Sequence, residues 1–277
     1  MSEISYPPPR PLGAGEVLDL TFRIYRATLV KCLLFGALGV LANSLPNLYS
    51  ASKGQSLLQS VFAPSPDPVR TLLAILGGLV ALAFSVAILR RQYQIVTGRP
   101  LGGELATGFR LLPRLVLFFI LYGLAFAACA LLLIPAALTH GVTQWLFIVL
   151  WLAPFGYVVV ALSCGYPSLI VDDTGALESL KRSWRLTRGS FWRLSAIYTV
   201  AIILMFVLYI VTGAVATFLY GILGRGDIAV VSASVAVVMV LIGALAAPFY
   251  SALLLAVLGD LSVRSEGADL AQRIAAA

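Results

Sequence analysis

Six long apolar runs constrain this chain more than any other feature of its sequence. Each has about 20 residues or more, the length that an α-helix needs to cross the hydrocarbon core of a bilayer. Charged residues make up 11% of the 277 residues, against about 25% in a soluble domain. We therefore predict an all-α polytopic membrane protein whose six transmembrane helices form three hairpins. The predicted spans are Leu29–Tyr49, Thr71–Leu89, Leu115–Leu138, Trp145–Val171, Leu194–Leu223 and Ile228–Leu258.

One sequence pattern occurs three times, each copy just before an odd-numbered apolar run. The copies read GEVLDLTFRIYR, GELATGFRLLPR and ALESLKRSWRLT, and each contains an aromatic residue followed by an arginine. A copy and the two apolar runs after it form one repeat, at about 14–89, 102–171 and 175–258. Three parallel repeats imply a pseudo-threefold axis along the membrane normal. The aromatic–arginine pairs are Phe22-Arg23, Phe109-Arg110 and Trp184-Arg185.

The three copies are predicted to be short amphipathic helices at the membrane surface. In the first copy the apolar positions recur with the spacing of one helical face, and the charged positions lie opposite. Such a helix suits the headgroup region, where it lies before the chain turns into the bilayer. The apolar positions are Leu18, Phe22, Tyr25 and Leu29, and the charged positions are Glu16, Asp19, Arg23 and Arg26.

Basic residues are distributed unequally between the two sides that six spans define. Lys53, Arg70 and Arg225 fall on one side, and the other 16 of the 19 Lys and Arg residues fall on the side of the termini. The positive-inside rule therefore predicts that both termini are cytoplasmic, together with the basic segments after spans two and four. Topology accounts for the formal net charge of +7, so we expect no nucleic-acid partner.

Neither end of the chain is predicted to form a separate domain. Residues 1–13 are predicted as a Pro-rich cytoplasmic tail, residues 14–263 as a single six-span membrane domain, and residues 264–277 as a short cytoplasmic tail. The first residues lack the apolar core of a cleaved signal peptide. A short interfacial helix is predicted at Leu57–Phe62, in the loop between the first two spans.

Two stretches carry a resemblance to a known family: DDTGALESLKRSWRLTRGSFWRLSAIY at residues 172–198 and RPLGAGEVLDLTFRIYR at residues 10–26. Both resemble the bacterial glycerophosphoryl diester phosphodiesterase membrane domain family, and the resemblance extends over nearly the whole chain. Its most specific part is Ser-Trp-Arg-Leu-Thr at residues 183–187, followed by Gly189 and the pair Phe191-Trp192. The resemblance implies a multi-span protein of the bacterial inner membrane. It transfers no catalytic residue, because the soluble phosphodiesterase barrel of fused members has no counterpart in this sequence.

The sequence contains no constellation typical of catalysis, of a metal site or of a cofactor site. Phosphodiester hydrolysis needs clustered carboxylates and a base, whereas the single histidine, His140, is predicted in a short external loop. Asp172 and Asp173 are predicted to cap the third amphipathic helix, with metal binding as the alternative. The three cysteines lie inside apolar runs and are predicted to be reduced packing residues. We expect no enzymatic activity and no cofactor.

Charged groups are scarce within the predicted spans. Lys31 is the one such residue there, near the cytoplasmic end, and is predicted to snorkel to the interface. Uncharged polar side chains in the spans are predicted to bond neighbouring helices or backbone carbonyls, with the lining of a central cavity as the alternative. Kinks are predicted at Pro154, Pro167 and Pro248.

The candidate site is a set of arginines on the three repeated helices. Arginine forks bind phosphate groups, and a pseudo-threefold arrangement would bring Arg23, Arg110 and Arg185 around a common axis. They would then bind an anionic lipid headgroup or an acidic segment of a membrane-protein partner at the cytoplasmic face. The alternative is dispersed adhesion to bulk anionic lipid. The supporting basic residues are Arg26, Lys181, Arg182 and Arg188.

Two functional classes remain open on the sequence. The first is a non-enzymatic inner-membrane protein that acts as a scaffold, assembly or accessory factor and engages anionic headgroups or a membrane partner. The second is a transporter or lipid-handling protein with a cavity between the three hairpins. A sealed apolar centre would favour the first class, and a lipid-sized cavity ringed by the arginines would favour the second.

Overall fold

The computed structural model describes residues 4–53, 67–223 and 228–276, and this part of the chain contains helices and no strand. The all-α prediction is confirmed. The helix predicted at Leu57–Phe62 lies outside the described residues. In chain order the described helices are α1 Ala14–Ser52, α2 Pro68–Val96, α3 Glu104–Ala130, α4 Ile134–Leu138, α5 Val142–Leu162, α6 Gly165–Val171, α7 Ala176–Thr187, α8 Phe191–Leu223 and α9 Ile228–Ala276.

Six segments of these helices are long and apolar enough to cross a membrane, which confirms the predicted number of spans. The fourth segment consists of α5 and α6 together. The sixth lies in α9, which continues to Ala276, so the predicted C-terminal tail is helical in the structure. The segments are Ala14–Ser50, Pro68–Val96, Glu104–Ala130, Val142–Val171, Phe191–Val215 and Val240–Ser265.

The amphipathic segments differ from the prediction in two of the three copies. The first copy forms the initial turns of α1 and the second forms those of α3, each continuous with the apolar run that follows. The third copy, α7, is a helix of its own. It ends because Gly189 adopts a φ of +84°, a left-handed conformation that glycine takes without the steric penalty of a Cβ.

Prolines account for two interruptions of the predicted spans. A proline ring clashes with the carbonyl group four residues earlier, so a regular helix ends before it. Pro135 follows the 3₁₀ turn Leu131–Leu133, which divides the predicted third span into α3 and α4. Pro167 follows the break between α5 and α6 at residues 163–164. The helices continue through the other two prolines at which kinks are predicted, Pro154 and Pro248.

The chain divides into two compact units. The first comprises Met1–Leu20, Pro113–Thr199 and Leu253–Ala277, and the second comprises Thr21–Leu112 and Val200–Ala252. In the second unit, glycines allow close packing of helices. A Cβ at Gly77 would lie 2.2 Å from the carbonyl oxygen of Ala42, and a Cβ at Gly108 would lie 2.5 Å from that of Ala83. Here α2 meets α1 and α3 at backbone distance, as small residues allow in membrane helix pairs.

In the first unit, the N-terminal segment packs along α9. The Tyr6 hydroxyl donates a hydrogen bond to the carbonyl of Leu255 at 3.1 Å, and the Leu12 amide donates one to Asp260 at 2.7 Å. Gly259 makes room for the Tyr6 ring, because a Cβ at this position would lie 2.7 Å from it. The segment predicted to be a tail therefore forms a strap, residues 6–12, bound to the helix.

Asp260 also joins the strap to α8. Its side chain is 1% exposed and accepts from Arg193 at 2.5 Å and from Arg264 at 3.2 Å. Both arginines donate a further hydrogen bond to the carbonyl of Leu12. A buried carboxylate with three donors is well compensated, so this cluster fixes three chain segments in one unit.

Candidate functional site

The three aromatic–arginine pairs all lie on the surface of their helices. The relative exposure is 44% for Phe22, 50% for Phe109 and 44% for Trp184. The arginine that follows each of them is exposed as well. Arg23 and Arg110 belong to the second unit and Arg185 to the first. Their convergence around one axis stays a prediction.

The opposite face of the same segments is packed against protein. In each copy the residue directly before the aromatic residue is buried. The packed face therefore lies one position before the apolar positions that the sequence predicted. Gly108 is buried by its close approach to α2, and Ser183 by hydrogen bonds to backbone groups. Hydropathy alone does not identify such residues. Equivalent buried positions in the three copies are Val17 and Thr21, Glu104 and Gly108, and Ser179 and Ser183; the other buried residues of the copies are Leu20, Ile24, Leu111, Ala176, Leu180 and Thr187.

Hydroxyl groups hold α7 against α5 and α6. The Ser183 hydroxyl donates to the carbonyl of Ala161 at 2.8 Å and accepts from the Cys164 amide at 3.1 Å. The Thr187 hydroxyl also donates to Ala161, at 3.1 Å. These bonds satisfy backbone groups that the break between α5 and α6 frees, so α7 is fixed on one side along two of its turns.

The outer face of α7 combines apolar and basic side chains. Leu177 and Trp184 are 55% and 44% exposed, and Lys181 and Arg185 are exposed between and beside them. All four lie within one helical face, since they follow a spacing of three or four residues. Aromatic rings continue this surface beyond the helix. The centroid of the Tyr157 ring lies 5.3 Å from that of Trp184 and 5.4 Å from that of Phe191. The Phe191 ring in turn lies 5.4 Å from that of Trp192.

The two adjacent carboxylates before α7 form ion pairs and do not cap the helix. The residue at the N-cap is Gly175, which makes no side-chain capping bond. Asp172 pairs with Arg182 at 2.8 Å, and Asp173 pairs with Arg114 at 2.7 Å. The capping prediction is wrong: both carboxylates pair with arginines, and Asp173 itself adopts a φ of 53°, outside the right-handed helical region.

The predicted basic residues therefore differ in their charge compensation. Arg182 is neutralised by Asp172. Lys181, Arg185 and Arg188 form no ion pair with another described residue. Arg23 has Asp19 four residues earlier on the same helical surface, a spacing at which opposite charges attract by about 0.2–0.5 kcal/mol. Arg26 is exposed near it.

An arginine outside the predicted set organises the second unit. Arg91 pairs with Glu104 at 3.0 Å, donates to the carbonyl of Lys31 at 2.9 Å and lies over the Phe35 ring at 4.3 Å. It thus connects α1, α2 and α3. The sequence showed Arg91 as one of several basic residues after the second span, and its spacing contains no signal for this role.

The second unit also contains a small apolar cavity of about 190 Å³ lined by α1, α2 and α9. Its polar lining consists of Asn43, whose side chain is exposed, and Ser85, whose hydroxyl donates to the carbonyl of Leu82 at 2.7 Å. The prediction that in-span hydroxyls bond backbone carbonyls is confirmed at Ser85, Ser163 and Thr212.

An ion pair joins the C-terminal end of α1 to the N-terminal end of α2. Lys53 donates to Asp67 at 3.0 Å, and the Tyr49 hydroxyl donates to the same carboxylate at 3.1 Å. Hydrogen bonding from Lys53 lowers the pKa of Asp67 below its ordinary value. Hydrogen bonding with Tyr49 and then with Asp67 raises the pKa of Lys53.

Within the described ranges, no group of three or more His, Cys, Asp or Glu side chains is placed to hold a metal ion. His140 lies exposed between α4 and α5. The buried acids in this part of the chain, Glu104 and Asp260, each accept from arginines of the fold.

The six apolar helices and the composition define the class: this is a multi-pass integral membrane protein. The chain matches no protein-family model, no curated protein and no solved structure. The resemblance to the glycerophosphoryl diester phosphodiesterase membrane domain family therefore stays a prediction based on the two stretches that carry it.

Proposed function

We propose that this protein is a non-enzymatic scaffold, assembly or accessory factor of the bacterial inner membrane, with both termini cytoplasmic. In this proposal its basic surface engages anionic lipid headgroups, and through them or beside them a membrane-protein partner. The buried acids Glu104 and Asp260 form ion pairs with arginines inside the protein. We therefore assign the recognition of headgroups or of a partner to the exposed basic side chains.

One observation carries the proposal: the aromatic–arginine pair is exposed at the same register of three helices whose opposite faces are packed. Tryptophan, as at Trp184, is enriched at the boundary between headgroups and acyl chains, and the Phe rings of the other two pairs are apolar groups that contact acyl chains. An arginine beside them reaches the phosphate layer, where each basic residue contributes about 1 kcal/mol near an anionic surface. Three such pairs would attach the protein to an anionic leaflet.

The test is gentle extraction from native membranes, followed by mass spectrometry of the lipids and proteins that co-purify. Wild type is compared with the Arg23/Arg110/Arg185→Gln variant, and Lys53→Gln, at the predicted outer side, is the control. We expect the triple variant to lose anionic lipid or a stoichiometric protein partner that the control retains. Identical lipid and protein content in wild type and the triple variant would refute the proposal.

A second candidate is a transporter or lipid-handling protein, and the cavity beside Asn43 favours it. An amide exposed in an apolar segment lacks water as a hydrogen-bond partner, so a ligand with a polar group would be held there. Retention of a small molecule or lipid by wild type that the Asn43→Leu variant loses, with Arg23/Arg110/Arg185→Gln unchanged, would place this candidate first.

A further inference from the structure

We infer that the headgroup site is local to helix α7: Lys181, Arg185 and Arg188 bind the phosphate of one anionic phospholipid, with Trp184 and Trp192 at the headgroup boundary. This inference rests on the proposed function and deepens it. It places the phospholipid site within the third repeat. The aromatic–arginine pairs of the first two repeats are then not part of this site.

The position of α7 in the chain favours a helix that lies in the interface. It has 12 residues and falls between the candidate spans Val142–Val171 and Phe191–Val215, so it crosses no membrane itself. Hydrogen bonds from Ser183 and Thr187 fix its inner face. The outer face presents apolar and cationic side chains together, the combination typical of helices that lie in the plane of the headgroups.

Basic side chains predominate around Arg185. Lys181 and Arg182 lie four and three residues before it and Arg188 three residues after it, whereas the acid of α7, Glu178, lies seven residues before it, beside Lys181 and Arg182. Asp172 forms its ion pair with Arg182 and not with Arg185. At the equivalent register of α1, Arg23 has an aspartate one turn earlier. A surface on which basic side chains outnumber acidic ones attracts an anion, and the guanidinium fork of Arg185 matches the oxygens of a phosphate.

The aromatic side chains distinguish a lipid phosphate from a soluble one. Trp192 is 84% exposed and Trp184 is 44% exposed, and both belong to the chain of ring contacts beside α7. An indole at the membrane boundary is stabilised by contact with both acyl chains and headgroups. A soluble phosphate would make no use of these rings, whereas a phospholipid contacts the rings and the arginines together.

The experiment titrates the full-length protein in mild detergent with phosphatidylglycerol and counts bound lipids by native mass spectrometry. We expect wild type to hold one tightly bound phosphatidylglycerol and the Arg185→Gln/Arg188→Gln variant to bind it about 30-fold more weakly. That factor corresponds to about 1 kcal/mol for each of two basic residues. Phosphatidylcholine at the same concentration is expected not to replace phosphatidylglycerol in wild type.

Two controls are matched to this variant. Arg23→Gln/Arg26→Gln removes the same number of charges from α1. Arg182→Gln/Asp172→Asn removes the ion pair between α7 and Asp172 without changing the net charge of the protein. Both are expected to bind phosphatidylglycerol as wild type does. Arg185→Lys, which keeps the charge and loses the fork, is expected to bind with intermediate affinity and shows that the effect is not a folding defect.

The outcomes separate the inference from the proposed function. Equal losses in the α1 and α7 variants would refute a local site and leave a distributed anionic surface in place. Unchanged binding in both variants would refute the inference, whereas the proposed function is refuted separately, by identical lipid and protein content in wild type and the Arg23/Arg110/Arg185→Gln variant. Displacement of the lipid by millimolar inorganic phosphate would overturn the assignment of the site to a phospholipid.

Discussion

Replacement of Asp260 by alanine tests the account of the N-terminal strap. The carboxylate is 1% exposed and accepts from the Leu12 amide, Arg193 and Arg264. Alanine leaves two arginines without their counter-charge and a backbone amide without its acceptor. Removal of one partner of a buried ion pair costs about 3–5 kcal/mol. Because both arginines retain part of their solvent exposure, we expect a loss near the lower end, about 3 kcal/mol.

The assay is unfolding in mixed micelles of a mild detergent and sodium dodecyl sulfate, followed by circular dichroism, with hydrogen exchange of the Leu12 amide as the local readout. Asp260→Ala should lower the free energy of unfolding and speed exchange of this amide, which loses its acceptor. Glu16→Gln is the control, since the exposed Arg10–Glu16 pair joins the strap to the start of α1 and makes no bond to α9. If Asp260→Ala were as stable as wild type, or Glu16→Gln equally destabilised, our interpretation of the cluster would be wrong.

Two further predictions concern the second unit. Gly77→Ala would place a Cβ 2.2 Å from the Ala42 carbonyl oxygen and should destabilise the protein by about 1–3 kcal/mol. Gly123→Ala, whose Cβ meets no atom within 4 Å, should be neutral, and equal effects of the two substitutions on unfolding would contradict the packing argument. Asp67→Asn should remove stabilisation that is present at neutral pH. The pKa of Asp67 is lowered from 3.8 and that of Lys53 is raised from 10.5. The difference in free energy of unfolding between Asp67→Asn and wild type should therefore disappear as the pH falls through the pKa of Asp67 in the folded protein, or as it rises through the pKa of Lys53 there. A difference between the variant and wild type that is the same at every pH would refute this.

The spans followed from the sequence because an apolar run of this length has few alternatives, whereas the faces of the helices did not. Ser183 and Gly108 are polar or small and yet buried. A hydroxyl that bonds a backbone carbonyl, or a missing side chain that permits close approach, favours burial as strongly as an apolar side chain does. A hydropathy pattern registers neither effect, so it assigned the packed face one position away.

The sequence identified the basic residues of the candidate site. It did not show which of them form ion pairs within the protein. Arg182 and Arg185 are equivalent in the sequence, both basic and both on one short helix. Asp172, which precedes the helix, pairs with Arg182, whereas Arg185 forms no ion pair with another described residue. Such a choice depends on backbone geometry outside the helix. The same holds for Asp260, whose sequence position suggests a solvated carboxylate at the end of a span and whose partner at Leu12 is 248 residues away.

Because of that separation, the strap can bind α9 only late in the synthesis of the chain. When residues 6–12 leave the ribosome, the part of α9 that binds them does not yet exist. At about 5–20 residues per second, the partner follows after roughly 12–50 seconds. During this interval the Tyr6 and Leu12 groups are free to meet chaperones, proteases or the membrane surface. Docking of the strap therefore reports that α9 has been made and inserted, and a chain truncated before Asp260 would leave its N-terminal segment open to degradation.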